Sequence, residues 1–136
     1  MKKIAIITAI VAIILPSFTG CDKYHRDRYI GDWDFVTKSE HYQMVLGKRE
    51  LVGCDTIYYL GKITYGEYEN HLIIQYTENH YDDAVIDKYG KIYTLCPGAR
   101  CECGKFEGED SVHFNKGWVT PDNPEYIVGT KRKGGK

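Results

Sequence analysis

The stretch Tyr29-Ile30-Gly31-Asp32-Trp33-Asp34-Phe35 decides the fold class of this chain. Its glycine, its tryptophan and its phenylalanine occupy alternate positions, with an aspartate between each of them. Because successive side chains of a β-strand point to opposite faces, this alternation predicts a strand with one apolar and one polar face. The predicted strand runs from about Tyr29 to Lys38.

Runs of the same kind recur along the rest of the chain. They are rich in Tyr, Ile, Val, Phe and Thr, are separated by turn-forming residues, and do not space their apolar residues as a helix does. Further strands are predicted over residues 56–65, 72–76, 84–86, 91–95, 103–107, 111–115 and 125–132. About eight strands joined by hairpin-length links predict an all-β domain, an antiparallel up-and-down meander. Such a meander closes into a small barrel because closure leaves no unpaired edge.

The first and last predicted strands carry motifs of a known family. Gly31-x-Trp33 at the start of the meander resembles the lipocalin and calycin signature, and with Val128-Gly129-Thr130-Lys131 the chain is similar to small lipocalin-like lipoproteins of Gram-negative gut bacteria. The resemblance covers most of the domain and implies a lipocalin-like barrel closed at Gly31 and Trp33, with Lys131 or Arg132 over the tryptophan ring. The chain is shorter than a full lipocalin and lacks the Thr-Asp-Tyr motif before the late strands.

The N-terminal residues have the layout of an export signal. Lys2 and Lys3 precede an apolar run from Ile4 to Leu15, which is shorter than the roughly 20 residues of a membrane-spanning helix. Gly20 stands directly before Cys21, and this end of the signal resembles the lipobox of bacterial lipoproteins. We therefore expect residues 1–20 to be a lipoprotein signal peptide that is removed. Cys21 is then the lipidated, palmitate-bearing N-terminus.

The remaining chain divides into a tether and one domain. Residues 21–28 are charged and polar after the cysteine, which predicts a short flexible tether, and residues 29–133 form the barrel domain. The expected location is the cell envelope, with the protein anchored to the membrane by its lipid. The family resemblance favours the outer membrane.

The cysteines form an even set once Cys21 is assigned to the lipid. In an oxidising compartment, four cysteines most simply form two disulfides. A bond between neighbouring Cys101 and Cys103 would strain a very small ring, so we expect Cys54 to pair with a cysteine of the 96–103 segment. A zinc site built from Cys96, Cys101 and Cys103 with Cys54 or a histidine is the alternative, although the spacing matches no paired C-x-x-C pattern.

Charge and motifs exclude several function classes. Removing residues 1–20 takes away two of the 18 basic side chains and none of the 19 acidic ones, which leaves 16 against 19 and a net charge of −3. Nucleic-acid binding needs a concentrated basic face, so no nucleic-acid partner is expected. The five histidines are scattered, and G-x-S-x-G, H-E-x-x-H, P-loop and EF-hand motifs are absent from the sequence. We expect no enzyme activity, no cofactor and no metal.

Two binding functions remain. In the first, the barrel holds a small apolar ligand, and inward Gly31 and Gly61 leave room for it. The expected ligand-binding residues are Trp33, Phe35, Tyr59, Ile63, Ile74, Phe114 and Tyr126. The alternative is a solid barrel that binds an envelope or host protein or a glycan, as an adhesin or inhibitor would. Its contacts would come from loops, which we place at residues 44–53, 77–83 and 116–124.

Overall fold

The computed structural model describes residues 23–96, 99–116 and 124–134, of which residues 95, 96, 99 and 100 are described by their backbone only. Eight antiparallel strands follow one another around a closed barrel, each paired with its neighbour in sequence, and β8 pairs with β1. This arrangement confirms the predicted all-β, up-and-down barrel. The signal peptide over residues 1–20 and the lipidated Cys21 lie outside the described residues.

The strands differ greatly in length. They are β1 Gly31–Val45, β2 Lys48–Tyr65, β3 His71–Gln75, β4 Tyr81–Ile86, β5 Lys91–Cys96, β6 Ala99–Glu107, β7 Ser111–Lys116 and β8 Glu125–Lys131. A single 3₁₀ turn, Arg26–Arg28, precedes them. Most bounds agree with the predicted strands within a few residues, but β1 and β2 are 15 and 18 residues long and far exceed the prediction.

The predicted loop over residues 44–53 is wrong, because β1 and β2 continue through it as a hairpin. The turn consists of Leu46 and Gly47, which have φ values of 50° and 78°. Positive φ at both central residues is the geometry of a tight hairpin turn whose twist matches that of its strands. Leucine rarely adopts this conformation. The turn therefore lacks the Asn-Gly or Asp-Gly signal by which a hairpin turn is recognised in a sequence.

Alternate residues of each strand fill the barrel interior. Trp33, Phe35, Ile63, Ile74 and Phe114 are each at most 2% exposed, as predicted for the apolar face. The rest of the core consists mainly of branched aliphatic and aromatic residues from the other strands, namely Tyr29, Leu72, Tyr76, Ala84, Ile86, Ile92, Phe106, Val112 and Ile127. These side chains form one continuous core that includes residues from all eight strands.

Two inward glycines make space for one phenylalanine ring. A Cβ placed on Gly129 would lie 2.6 Å from the ring of Phe35 and 2.7 Å from a methyl group of Val112. A Cβ on Gly61 would lie 2.9 Å from the same ring and would overlap the carbonyl oxygen of Gln75. The room that we expected at Gly61 is therefore occupied, because Phe35 lies against the glycines of both neighbouring strands.

The aliphatic end of Lys131 occupies the space at Gly31, where it would lie 3.2 Å from an added Cβ. The inward glycines consequently fit protein side chains, and they do not mark a cavity.

The predicted closing residues lie together at one end of the barrel, which we call the closed end. The indole Nε1 of Trp33 donates a hydrogen bond to the carbonyl oxygen of Tyr29 at 2.9 Å. The ammonium of Lys131 donates to the carbonyl oxygen of Arg28 at 2.7 Å, and the guanidinium of Arg132 pairs with Asp34 at 3.2 Å. The cation–π contacts of the described residues do not include Trp33, whose ring packs on Phe35 and Phe106 instead.

Folding begins before Tyr29, so the predicted tether is too long. Tyr24 packs against the core, and a guanidinium nitrogen of Arg26 donates to the carbonyl oxygen of Tyr68 at 2.9 Å. The Arg26 guanidinium also lies over the Tyr65 ring, 5.0 Å from its centroid. These contacts attach the segment around the 3₁₀ turn to the end of the β2–β3 hairpin.

The packing of Phe35 predicts a position-specific effect of adding one methyl group. Gly61→Ala should lower the free energy of unfolding by about 1–3 kcal/mol, because the methyl group overlaps the Phe35 ring and the Gln75 carbonyl. Gly53→Ala in the same strand is the control, since its Cβ would meet only a ring carbon of His41 at 4.0 Å. Urea unfolding of the full chain measures both, and equal losses at the two positions would contradict this packing.

Candidate functional site

The candidate functional site is at the other end of the barrel, which we call the open end. There β1 and β2 extend beyond their neighbours: β1 pairs with β8 only as far as Ser39, and β2 begins to pair with β3 only at Lys62. In the part of the chain that the structure describes, residues 40–54 therefore form a two-stranded ribbon, and residues 55–61 continue β2 beside the β8-paired part of β1 with a free outer edge. We call residues 40–61 the arm. One further hydrogen bond, from the Glu40 amide to the Pro124 carbonyl at 3.1 Å, attaches its base.

Side chains on both faces of the arm link its two strands. His41 Nε2 and Asp55 Oδ2 lie 2.7 Å apart, and the Arg49 guanidinium lies 4.1 Å from the centroid of the Tyr42 ring. The Tyr42 hydroxyl donates to a carboxylate oxygen of Glu40 at 2.7 Å, and this hydrogen bond raises the pKa of the tyrosine. The register shifts once, between His41 and Tyr42.

The arm exposes large apolar side chains, most of all at its tip. Leu46 is 99% exposed and Met44 is 67% exposed. Five further exposed apolar residues lie along β2, namely Leu51, Val52, Ile57, Tyr58 and Leu60. Single exposed apolar residues are ordinary on protein surfaces, but several of them on one element make that element a candidate interaction site.

A polar cluster lies inside the rim of the open end. Lys116 and Asp82 form an ion pair at 2.9 Å, and the Lys116 ammonium lies 5.1 Å from the centroid of the buried Tyr76 ring. Burial lowers the pKa of Lys116, but its hydrogen bonds to Tyr76 and Asp82 outweigh burial and raise it. Burial also raises the pKa of Tyr76. The lysine is thus charged and paired, which makes it a structural cation rather than a base.

Below this cluster, the Thr37 side chain is buried, and its hydroxyl oxygen has no hydrogen-bond partner among the described residues. Among the described residues, no group of three or more His, Cys, Asp or Glu side chains is arranged to hold a metal ion.

The state of the cysteines differs from the two disulfides that we predicted. Cys54 and Cys103 are free thiols, so the expected pairing of Cys54 is wrong. The reason is the arm: Cys54 pairs in register with Glu40 on the projecting ribbon and does not approach β6. Cys101 is disulfide-bonded, which also excludes the alternative zinc site that required its thiolate. The side chain of Cys96 lies outside the described residues.

The seven expected ligand-binding residues do not form one surface. Five of them are core residues, and Tyr59 is half-buried at the start of the arm, where its hydroxyl accepts a hydrogen bond from Gln75 at 3.3 Å. Tyr126 is wrong, because it is 41% exposed on the outside of β8 and Ile127 lies inside. The register pairs Ile127 with Phe114, which fixes that inward face.

The other two predicted loops have different outcomes. Tyr81 to Asp83 belong to β4, and only the residues before them form a turn, in which the Thr77 hydroxyl oxygen accepts a hydrogen bond from the His80 amide at 3.1 Å. Most of the loop over residues 116–124 lies outside the described residues. Sequence reasoning missed the tip half of the arm, because the predicted strands end at Lys38 and begin again at Thr56, and residues 48–50 are charged residues that strands do not favour.

Comparisons of the chain with protein-family models, with curated proteins and with solved structures found no match. In the described ranges, the structure contains no helix with the length and apolarity needed to cross a membrane.

The two free thiols should differ in reactivity. Burial raises the pKa of Cys103 to about 11, and the nearby Asp82 carboxylate acts in the same direction. At about pH 8 only about one Cys103 thiol in a thousand is then ionised, and the thiolate is the nucleophile. After mild reduction, iodoacetamide should alkylate exposed Cys54 in the folded protein and Cys103 only after unfolding, as measured by peptide mass spectrometry. Native modification of Cys103 at the rate of Cys54 would contradict its burial.

Proposed function

We propose that this protein is a lipid-anchored envelope lipoprotein whose solid barrel presents the arm to a protein partner. The exposed apolar tip of the arm carries this proposal, because Leu46 and Met44 have no packing role in the fold. The filled interior also supports it, since five of the seven side chains expected to surround a small ligand belong to one packed core. A binding surface on a rigid scaffold is a common use of such projecting elements.

The position of the proposed anchor fits this arrangement. The folded chain begins at the closed end, where Tyr24 packs and the Arg26 guanidinium binds the β2–β3 turn. The arm begins at the open end, and β1 spans 15 residues from Gly31 to the tip, about 45–50 Å at about 3.3 Å per residue. A lipid on Cys21 would thus hold the closed end near the membrane and leave the tip at the far end of the molecule.

The side chains of the tip indicate what kind of partner it would bind. The tip combines apolar side chains with Lys48, Arg49 and Glu50 immediately beside them. Charges of both signs around an apolar centre are typical of the rim and core of a protein–protein interface. A protein partner with a small apolar pocket and a mixed-charge rim is the best match to this surface.

Binding of a small apolar ligand is the second candidate function, and one observation favours it. The Thr37 hydroxyl oxygen is buried without a partner on the inward face of β1, near the open end. A ligand that reached Thr37 could form a hydrogen bond with this oxygen. It could go no deeper, because packed side chains fill the closed end of the barrel.

The arm proposal predicts a cross-link that depends on position. A photoreactive amino acid at position 46 in the full-length protein should cross-link to another envelope protein in intact cells. The same probe at position 89 is the control, because Tyr89 is also exposed, at 69%, but lies on the β4–β5 turn. Met44→Ser should weaken the cross-link without changing stability, since its side chain is exposed. Equal yields from positions 46 and 89, or products with a second copy alone, would refute this function of the tip.

The anchoring proposal predicts a separate change of location. Cys21→Ser should move the protein from the membrane fraction to the soluble envelope fraction, because stable anchoring needs the acyl chains on that residue. Cys54→Ser is the matched control and should leave the protein in the membrane fraction. Cell fractionation with metabolic labelling by a palmitate analogue measures both properties. Acyl label that persists in Cys21→Ser would rule out Cys21 as the anchor.

A further inference from the structure

The outer edge of β2 is open along most of the arm. β2 pairs with β1 from Lys48 to Ile63, but its pairing with β3 covers only Lys62 to Tyr65. Within the described ranges, no strand lies on the other side of residues 48–61. A row of unpaired backbone donors and acceptors is a template for another strand, and proteins usually block it with lysine, proline or a covering element. The segment Glu50–Tyr58 contains neither lysine nor proline, and a single bulge at Val52 is its one interruption.

The centre of this open edge carries a free, exposed thiol. Cys54 lies beside the midpoint of residues 48–61, and it is the exposed member of the two free cysteines. An exported protein with an unpaired exposed cysteine commonly uses it between chains, because the compartment favours disulfides. The open edge and the thiol are independent observations, and both point to a partner that pairs along β2.

We propose that the partner is a second copy of this chain, joined through antiparallel pairing of the two β2 strands about a two-fold axis at Cys54. Directly opposite residues of an antiparallel pair share one face of the sheet, so the axis passes through a residue rather than between two. Cys54 and Asp55 are the residues nearest the middle of the edge. An axis at Asp55 would place two carboxylates opposite each other, which is destabilising. An axis at Cys54 places two thiols opposite each other.

The resulting register is compatible with the sequence on both sides of the axis. Nearest the axis, Gly53 of one copy lies opposite Asp55 of the other, and the bulged Val52, which has no partner on β1, lies beside Thr56. Glu50 lies at the level of Tyr58, so like charges do not face each other between residues 50 and 58. The pairing also adds a third and a fourth strand to the arm, and a ribbon of two strands alone is only marginally stable in water.

The same geometry suits a covalent bond between the copies. Directly opposite residues of an antiparallel pair have Cα atoms about 4.5–5.5 Å apart, which is within the range of about 4.4–6.8 Å that a disulfide requires. The two Cys54 thiols would form an S–S bond and lose two protons and two electrons. A disulfide of the envelope accepts them and becomes two thiols through thiol–disulfide exchange.

The test uses a Thr→Lys substitution on an open edge and on a covered strand. Thr56→Lys places a lysine on the free edge of β2, whereas Thr130→Lys is the matched control on β8, which is paired with β1 and β7. The full-length protein in detergent, under reducing conditions, should sediment as a dimer. Because a two-fold interface contains each substitution twice, Thr56→Lys should raise the dissociation constant about tenfold or more, and Thr130→Lys should leave it unchanged.

The thiol is tested in the same protein. Non-reducing electrophoresis of intact cells should show a dimer linked between the two Cys54 residues, and Cys54→Ser should abolish the link while the reduced-state dimer persists. A monomeric wild type under reducing conditions, equal effects of the two lysine substitutions, or Cys54 linked only to small thiols would each overturn the proposal. The hetero cross-link from position 46 should persist in Thr56→Lys, so failure of the dimer and failure of the tip function are distinguishable.

Discussion

The fold depends on the fit of the Phe35 ring between the strands on either side of it. Gly61 on β2 and Gly129 on β8 both lie against this ring, and a methyl group on either glycine would collide with it. Because β1 pairs with β2 on one side and β8 on the other, the ring lies at the point where the first and last strands close the barrel. Closure, core packing and the absence of room for a ligand at this level thus have one cause. The glycines serve the aromatic ring, so their presence in the sequence does not signal an open interior.

The arm follows from unequal strand lengths around this closed barrel. The shorter strands end near the level of Ser39 and Gln75, whereas β1 and β2 continue to a turn at Leu46 and Gly47. Residues of the arm therefore keep the strand alternation but lose the core that would bury one face. Ile57 illustrates this loss, since it shares the inward face with Phe35 through the register and is nevertheless half exposed. Apolar side chains on such a ribbon are not buried by their own chain, so they are candidates for contact with another molecule.

Alternation in the sequence predicted the strands well but left other features open. Trp33, Phe35, Ile63 and Phe114 were assigned to the core because their strands have one consistently apolar face. Tyr126 failed because β8 carries apolar residues on both faces, and only its pairing with β7 shows that Ile127 is inside. The arm was missed because its turn has leucine at a position of positive φ, which sequence signals assign to glycine or asparagine. The residues before Tyr29 are charged, and their order comes from long-range hydrogen bonds that no local pattern reveals: Arg26 donates to the Tyr68 carbonyl, and Lys131 donates to the Arg28 carbonyl.

The proposed anchor and the proposed pairing together constrain how two copies would stand at a membrane. In an antiparallel pair about Cys54, the two closed ends point in opposite directions. Eleven residues separate Cys54 from Tyr65 at the closed end of β2, so the closed ends lie about 70 Å apart at about 3.3 Å per residue. The few residues between Cys21 and Tyr24 span only about 10 Å. Both lipids can therefore enter one membrane only if the long axis of the pair lies along its surface, with the β2 strands parallel to the bilayer, whereas a single copy can stand with its tip away from the membrane.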